Sequence, residues 1–201
     1  MLQRIRYANG VIGVATRNHY TEADWNSQNA WLVTDISAAL AGDRTAHYSA
    51  VIDRAAFLKT THKVDANIAP QTIYESYVPK AAVSDLLAQL KAGDFVNVIS
   101  LKSTAKNPPK NAQKDVQPAE EFLTSHVGLV VIGANGERRF LHSSEPAVRE
   151  ESFADFMARA EAREARNLAA GKPGLVLKGF KFLRLNEAPV VPPMSPQPRP
   201  K

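Results

Sequence analysis

One stretch, from Ser125 to Ser144, constrains the fold of this 201-residue chain more than any other; it reads SHVGLVVIGANGERRFLHSS. An apolar run over 127–132 leads to Asn135-Gly136, and a second strand-like run follows over 138–141. Asn-Gly between two such runs indicates a β-hairpin, because a tight hairpin turn needs positive φ at its centre. The sequence therefore predicts antiparallel strands at this point.

A histidine lies at each outer end of the predicted hairpin, His126 before the first strand and His142 after the second. Antiparallel pairing would bring the two imidazoles close together beside an apolar sheet. An imidazole with a pKa near neutrality can act as a base for a thiol or a hydroxyl. Histidines at strand ends are also commonly structural, so the residues alone leave both roles open.

The group on which these histidines would act is not evident from the sequence. The chain has no cysteine, which excludes a cysteine nucleophile within these residues. Ser125, Ser143 and Ser144 offer hydroxyls, but none lies in a G-x-S-x-G elbow. A zinc site would need a third ligand, for which Asp94 is conceivable. No glycine-rich phosphate loop is present, and we expect neither a metal nor a cofactor.

A polar and aromatic segment near the N-terminus is the second candidate site. It places a guanidinium, an imidazole and aromatic rings within nine residues, at Arg17, His19, Tyr20 and Trp25. Such groups could form a pocket wall that binds a carboxylate or an amide through charge-assisted hydrogen bonds. Alternatively, the aromatic rings anchor the loop to the core.

Hydrophobic periodicity along the chain predicts an α+β fold, with a largely antiparallel sheet and helices beside it. A polar surface loop is predicted over 102–118. Helices are expected at the N-terminus, ending at Gly10, and over 35–40, 80–92 and 152–168. Strands are expected over 47–53, 73–78, 94–100, 126–132, 138–141 and 179–185.

The length of the chain favours one domain over 1–187. A tail follows over 188–201, where six of the fourteen residues are proline, and it is expected to be disordered. The net charge is +5, from 25 basic and 20 acidic residues, without an arginine-rich arm, so nucleic acid is not an expected partner. No apolar run is long enough for a transmembrane helix, and the first residues carry no export signal.

Several segments, taken in order, resemble a known family. Three of these segments resemble NlpC-type papain-like cell-wall hydrolases: Gly93–Val96, Ser125–Leu129 and Leu141–Ser144. The N-acetylmuramoyl-L-alanine amidase-like branch of that superfamily is resembled more closely still, over about 2–185. The branch-level features are Ile5–Tyr7 with Gly10, Arg17–Tyr20 with Asp24-Trp25, Tyr77–Lys80 and Gly179–Leu185.

The resemblance implies a papain-like fold in which a cysteine at a helix N-terminus attacks an amide of a cell-wall peptide. His126 matches the histidine that activates the thiol and protonates the leaving amine. His142 matches the polar residue that orients the His126 ring, which is the logic of a catalytic triad. Peptidoglycan or its stem peptides would be the partner, in the periplasm or outside the cell.

The chain departs from the family pattern at the nucleophile. In the family, the cysteine helix precedes the segment that resembles Leu2–Tyr7, and this chain begins after that point. We expect an N-terminal truncation, which would leave the sheet face partly uncovered and the chain poorly stable or self-associating. The alternatives are a non-catalytic module that binds cell-wall peptides and, in third place, a metal hydrolase that uses both histidines.

Overall fold

A large antiparallel sheet flanked by helices dominates the fold, which confirms the predicted α+β class. The structure is a computed structural model, and it describes residues 1–103 and 121–196. The strands are β1 (Val33–Asp35), β2 (Ala46–Ile52), β3 (Gln71–Pro79), β4 (Phe95–Ser103), β5 (Phe122–Ile132), β6 (Arg138–Ser144), β7 (Ala147–Ser152) and β8 (Gly174–Leu185). Their order in the sheet is β2-β3-β8-β4-β5-β6-β7, and β1 pairs with β8.

Most of the helices are short. The α-helices are α1 (Leu2–Arg6), α2 (Ser37–Ala41), α3 (Arg54–Phe57), α4 (Lys80–Leu86) and α5 (Phe153–Ala169). Short 3-10 segments follow at Ala8–Gly10, Gly42–Arg44 and Leu87–Gln89, and π-helical turns lie at Thr21–Asn26 and Leu58–His62. Within the described ranges, no helix has the length and apolar character needed to cross a bilayer.

The chain divides into two compact units. The first unit comprises Met1–Thr34, Ser49–Glu75 and Leu185–Lys201, and the second comprises Asp35–Tyr48 and Ser76–Arg184. The expectation of one domain over 1–187 with a disordered tail stays a prediction. In the first unit, the backbone N–H of Ser195 donates a hydrogen bond to the carbonyl of Asn9 at 2.9 Å.

The hydrophobic core of the second unit lies between the sheet and helices α2, α4 and α5. Phe140 on β6 is fully buried and packs against Phe153 and Phe156 of α5, with ring centroids 5.6 Å and 5.0 Å away. Val130 on β5 is also fully buried in this cluster. The face of β5 and β6 that carries these two residues is therefore the face that α5 covers.

The helix predicted over 80–92 ends early. Its α-helical part stops at Leu86, and residues 87–89 form a 3-10 turn. The backbone then turns toward the sheet, because the N–H of Gly93 donates to the carbonyl of Val130 and the N–H of Val130 donates to the carbonyl of Asp94, each at 2.8 Å. These two hydrogen bonds lead into strand β4, which begins at Phe95, one residue after the predicted start of the strand.

The predicted hairpin exists, and its loop lies between the two predicted strands. Ile132 pairs with Arg138, which leaves five residues, 133–137, in the loop. Gly136 adopts a φ of +80°, and the N–H of Gly133 donates to the carbonyl of Glu137 at 2.9 Å. One glycine with positive φ is therefore enough to close this turn.

Two further differences from the sequence analysis concern strands. β7 was not predicted, because AVREES is an edge strand whose apolar residue Val148 is exposed, so it shows no alternating pattern. β4 extends to Ser103, so the polar loop predicted from 102 begins later. The rest of that predicted loop, over 104–118, lies outside the described residues.

Candidate active site

The two histidines of the hairpin meet on the face that α5 covers. His142 pairs with Gly128, so His126 lies two residues away along β5 on the same face, as strand alternation requires. His126 Nε2 and His142 Nδ1 are 2.8 Å apart, which is hydrogen-bonding distance. The prediction that the two imidazoles lie close together is confirmed.

The hydrogen bonding continues beyond His142 to a carboxylate and a guanidinium. His142 Nε2 lies 2.7 Å from Glu151 Oε1, and Arg159 of α5 binds both oxygens of that carboxylate. Glu151 lies opposite Phe140 on the neighbouring strand β7, diagonal to His142. The result is a relay of four groups, His126–His142–Glu151–Arg159, which we call the histidine relay.

Hydrogen-bond chemistry assigns the proton positions when both rings are neutral. An ionised carboxylate can only accept hydrogen bonds, so Nε2 of His142 carries a hydrogen and donates it in a hydrogen bond to Glu151. His142 Nδ1 is then an acceptor and takes the hydrogen bond from the Nε2–H of His126. Nδ1 of His126 is left with its lone pair, and no described residue hydrogen-bonds to it. This nitrogen is available to remove a proton from another group.

The electrostatic environment supports that assignment. The pKa of His126 is lowered by burial, with further contributions from the neighbouring His142, Arg163 and Arg159. Burial alone would raise the pKa of Glu151, but hydrogen bonds from Arg159 and His142 outweigh it and hold that pKa below its usual value. At neutral pH the imidazole of His126 is therefore unprotonated, and the carboxylate of Glu151 is charged.

Packing fixes the His142 ring. Its side chain is 1% exposed, stacks on Phe140 with ring centroids 4.5 Å apart, and meets the edge of Phe156. Opposite it, a Cβ atom at Gly128 would lie 2.9 Å from His142 Cβ and 2.4 Å from the carbonyl oxygen of Leu141. Only glycine fits there, so the β5 backbone approaches His142 closely.

A β-bulge lies beside His126. Val98 of β4 pairs with His126, whereas Ile99 pairs with Thr124, so Ser125 is the extra residue. Bulges redirect side chains and are common next to active sites. The hydroxyl of Ser125 lies 3.3 Å from the carbonyl of Val98 and 2.8 Å from the hydroxyl of Ser100. Its hydrogen bonds run to β4, and none runs to His126.

The relay borders an open cavity of about 100 Å³. His126 and His142 line it, together with arginine, serine and apolar side chains. The other lining residues are Val98, Ser100, Ser125, Ser144, Phe156, Arg159, Ala160, Arg163, Leu175 and Leu177. Among the described residues, two cationic side chains and no carboxylate line this cavity.

The second predicted site belongs to the first unit. Asp24 is buried there, and its carboxylate accepts hydrogen bonds from the backbone N–H groups of His19 and Tyr20 at 3.0 Å and 3.1 Å. His19 Nε2 lies 3.0 Å from the carbonyl of Val14, and its ring packs on Phe57.

The other two members of that predicted site differ in exposure. Arg17 is exposed, and Trp25 is partly buried. These contacts explain how the segment is held in place. A substrate-binding role for Arg17, His19, Tyr20 and Trp25 stays a prediction.

Asp94, the conceivable third metal ligand, is used elsewhere. Both of its carboxylate oxygens accept hydrogen bonds from Arg184, at 2.8 Å and 2.6 Å, and one also accepts the N–H of Lys91. Among the described residues, no group of three or more potential ligands from His, Asp and Glu is arranged to hold a metal ion.

Sequence reasoning missed Glu151, Arg159 and Arg163. Glu151 lies on the edge strand that had no recognisable pattern. Arg159 and Arg163 are four residues apart on the predicted helix, which places them on one face, but their proximity to the histidines depends on how the helix packs. If strand β7 had been recognised, its pairing with β6 would have placed Glu151 opposite Phe140 and therefore near His142.

Comparison with known proteins agrees with this architecture. A family model described as N-acetylmuramoyl-L-alanine amidase-like matches residues 1–162. A crystal structure of protein LPG0564 from Legionella pneumophila, assigned to the family DUF1460, is similar to this chain with a TM-score of 0.67 and 19% sequence identity. The similarity covers 96% of this chain and 69% of that one, and at this identity it shows the fold alone. None of the curated proteins compared with the chain matches it significantly.

Proposed function

This chain belongs to the N-acetylmuramoyl-L-alanine amidase-like family, and we propose that it is the base-carrying domain of a cysteine hydrolase of the NlpC-type papain-like kind. Its substrate is an amide bond of peptidoglycan, so its place of action is the periplasm or the cell exterior. The observation that carries the proposal is the histidine relay, in which the free Nδ1 of His126 faces no partner among the described residues.

Each group of the relay has a defined role in this reaction. His126 accepts the proton of the nucleophile through Nδ1 and then delivers it to the leaving amine. His142 orients the His126 ring and fixes its tautomer, and Glu151 does the same for His142. The nucleophile is a thiol outside these 201 residues, because the chain has no cysteine and no described hydroxyl is hydrogen-bonded to His126.

The second candidate is a non-catalytic module that binds peptidoglycan peptides. The absence of cysteine favours it, since the relay would then only line a binding cavity. The two candidates differ in the coding sequence upstream of Met1. A segment in the same reading frame that encodes a cysteine-bearing helix would support the hydrolase. The lack of such a segment would support the binding module.

The test is hydrolysis of purified peptidoglycan, followed by mass spectrometry of the released peptides. We expect no release by the 201-residue chain and release by the longer reading frame that supplies the cysteine. His126→Ala in the longer protein should lower the rate by about 10³-fold or more, the scale of general base catalysis. His47→Ala, at an exposed position on β2, is the matched control. Release by the 201-residue chain itself would contradict the proposal.

A further inference from the structure

The wall of the cavity beside His126 combines positive charge with an apolar surface. Arg159 and Arg163 line one side, four residues apart on α5, and no acidic side chain of residues 1–103 or 121–196 lines the cavity. Apolar side chains line much of the rest, namely Val98, Phe156, Ala160, Leu175 and Leu177. A cation would be repelled from such a cavity, whereas an anion attached to a small apolar group would be attracted.

The two arginines have different freedom to bind a ligand. Arg159 is held by Glu151, and its guanidinium lies over the Phe156 ring, 5.5 Å from the centroid. Arg163 makes no hydrogen bond or ion pair with any described residue, although it lines the cavity. A guanidinium presents paired N–H donors that match the two oxygens of a carboxylate. Arg163 thus has no partner in the described part of the chain and lies beside Arg159, which Glu151 holds in position.

We propose that this cavity recognises a carboxylate of the substrate, with Arg163 as its principal binding residue and Arg159 beside it, while the apolar wall contacts a small apolar group next to that carboxylate. The inference rests on the proposed function for the identity of the substrate. The substrate is then an acidic peptide, in which a carboxylate lies close to the amide bond that is hydrolysed beside His126. Arg163 is a specificity-determining residue, and it takes no part in the relay's hydrogen bonds.

Paired probes that differ only in charge test this inference on the 201-residue chain. The first pair is N-acetylmuramoyl-L-alanyl-D-glutamate and its diamide, and the second is the same pair without the sugar, carrying an N-acetyl group. Isothermal titration calorimetry gives the affinity ratio of acid to diamide. We expect the acid of each pair to bind about tenfold more tightly at low salt, the scale of one charge-assisted hydrogen bond, and this ratio to fall in high salt.

Two variants with the same change in net charge identify the residue responsible. Arg163→Gln should lower the ratio at least threefold and leave the affinity for the diamide nearly unchanged. Arg166→Gln, at an exposed position on the same helix that does not line the cavity, should keep the wild-type ratio. The Arg163→Gln variant should also raise the pKa of His126, because the nearby guanidinium lowers it in the wild type.

The inference is overturned by equal affinities for acid and diamide, by an unchanged ratio in Arg163→Gln, or by equal losses in both variants. Failure of all four probes to bind overturns it as well. Its failure is distinguishable from failure of the proposed function. A charge preference in the sugar-free pair supports carboxylate recognition even when the longer protein does not cleave peptidoglycan, and cleavage without a charge preference retains the proposed function alone.

Discussion

The carboxylate of Glu151 is the group in the relay whose removal gives the sharpest stability test. Glu151→Gln keeps the shape of the side chain and an acceptor for His142, but it removes the charge. The hydrogen bond from His142 is 2.7 Å long, and the two side chains are only 1% and 16% exposed. A hydrogen bond to a charged group contributes about 1 kcal/mol more than a neutral one.

The contact with Arg159 adds less, because that side chain is 41% exposed and solvent screens it, so we allow about 0.5 kcal/mol. The expected loss in the free energy of unfolding is therefore about 1.5 kcal/mol, which corresponds to about 4 °C in Tm for a chain of this size. Glu150→Gln is the matched control on the same strand. Glu150 pairs with Arg139 and is 49% exposed, so its loss should stay below about 0.5 kcal/mol.

The pH dependence gives the sign of the effect. The pKa of Glu151 is lower in the folded protein than its usual value of 4.5, so the folded state favours the ionised form. The resulting stability is complete above pH 4.5 and is lost as the pH falls through the folded-state pKa. Urea unfolding of wild type and Glu151→Gln should differ by the full amount at pH 7, and the difference should shrink toward pH 3. Equal stability at pH 7, or a difference unchanged by acid, would refute the reasoning.

The two remaining predictions concern the neighbours of His142. In ¹⁵N NMR titrations, His126 should carry its proton on Nε2 and titrate below 6.5. Because the lowered pKa means that the unfolded chain binds this proton more readily than the folded one, the free energy of unfolding of the wild type should fall as the pH drops below 6.5. His126→Gln should weaken that pH dependence. An NMR result that places the proton of the neutral His126 ring on Nδ1 would contradict the assigned relay. Gly128→Ala should lower the free energy of unfolding by about 2 kcal/mol and shift the His142 resonances, because its Cβ has no room beside Leu141. Gly136→Ala, where a Cβ meets only open space at positive φ, should cost about 1 kcal/mol and leave those resonances in place.

Much of the fold followed from local patterns. The Asn135-Gly136 turn signal between two strand-like runs predicted the hairpin. The helix predicted over 152–168 is also present, and Ser152 caps it, because the Ser152 hydroxyl accepts a hydrogen bond from the N–H of Asp155 at the start of α5. Such features depend on residues that are neighbours in sequence, and they survive in almost any tertiary context.

The end of helix α4 was not determined locally. Its apolar spacing continues through Leu90, and that side chain is buried as the pattern required. The backbone nevertheless leaves the helix and turns at Gly93, whose φ is +87°, and hydrogen bonds of Gly93 and Asp94 to Val130 in β5 hold the chain where strand β4 begins. A partner 37 residues away in sequence decided that boundary, and helix periodicity carries no information about it.

The candidate site divides in the same manner. The sequence by itself predicted that a hairpin brings His126 and His142 close together, which the structure confirms. The prediction that they lie at the outer ends of the strands was wrong, because β5 begins at Phe122 and β6 ends at Ser144. Only the tertiary structure decided that Glu151 and Arg159 complete the relay and that Arg163 reaches the same cavity. Those side chains come from an edge strand without an apolar pattern and from a helix whose packing on the sheet is set by the burial of Phe153 and Phe156. The proximity of the two histidines follows from local order, whereas their electrostatic environment arises from contacts between distant segments.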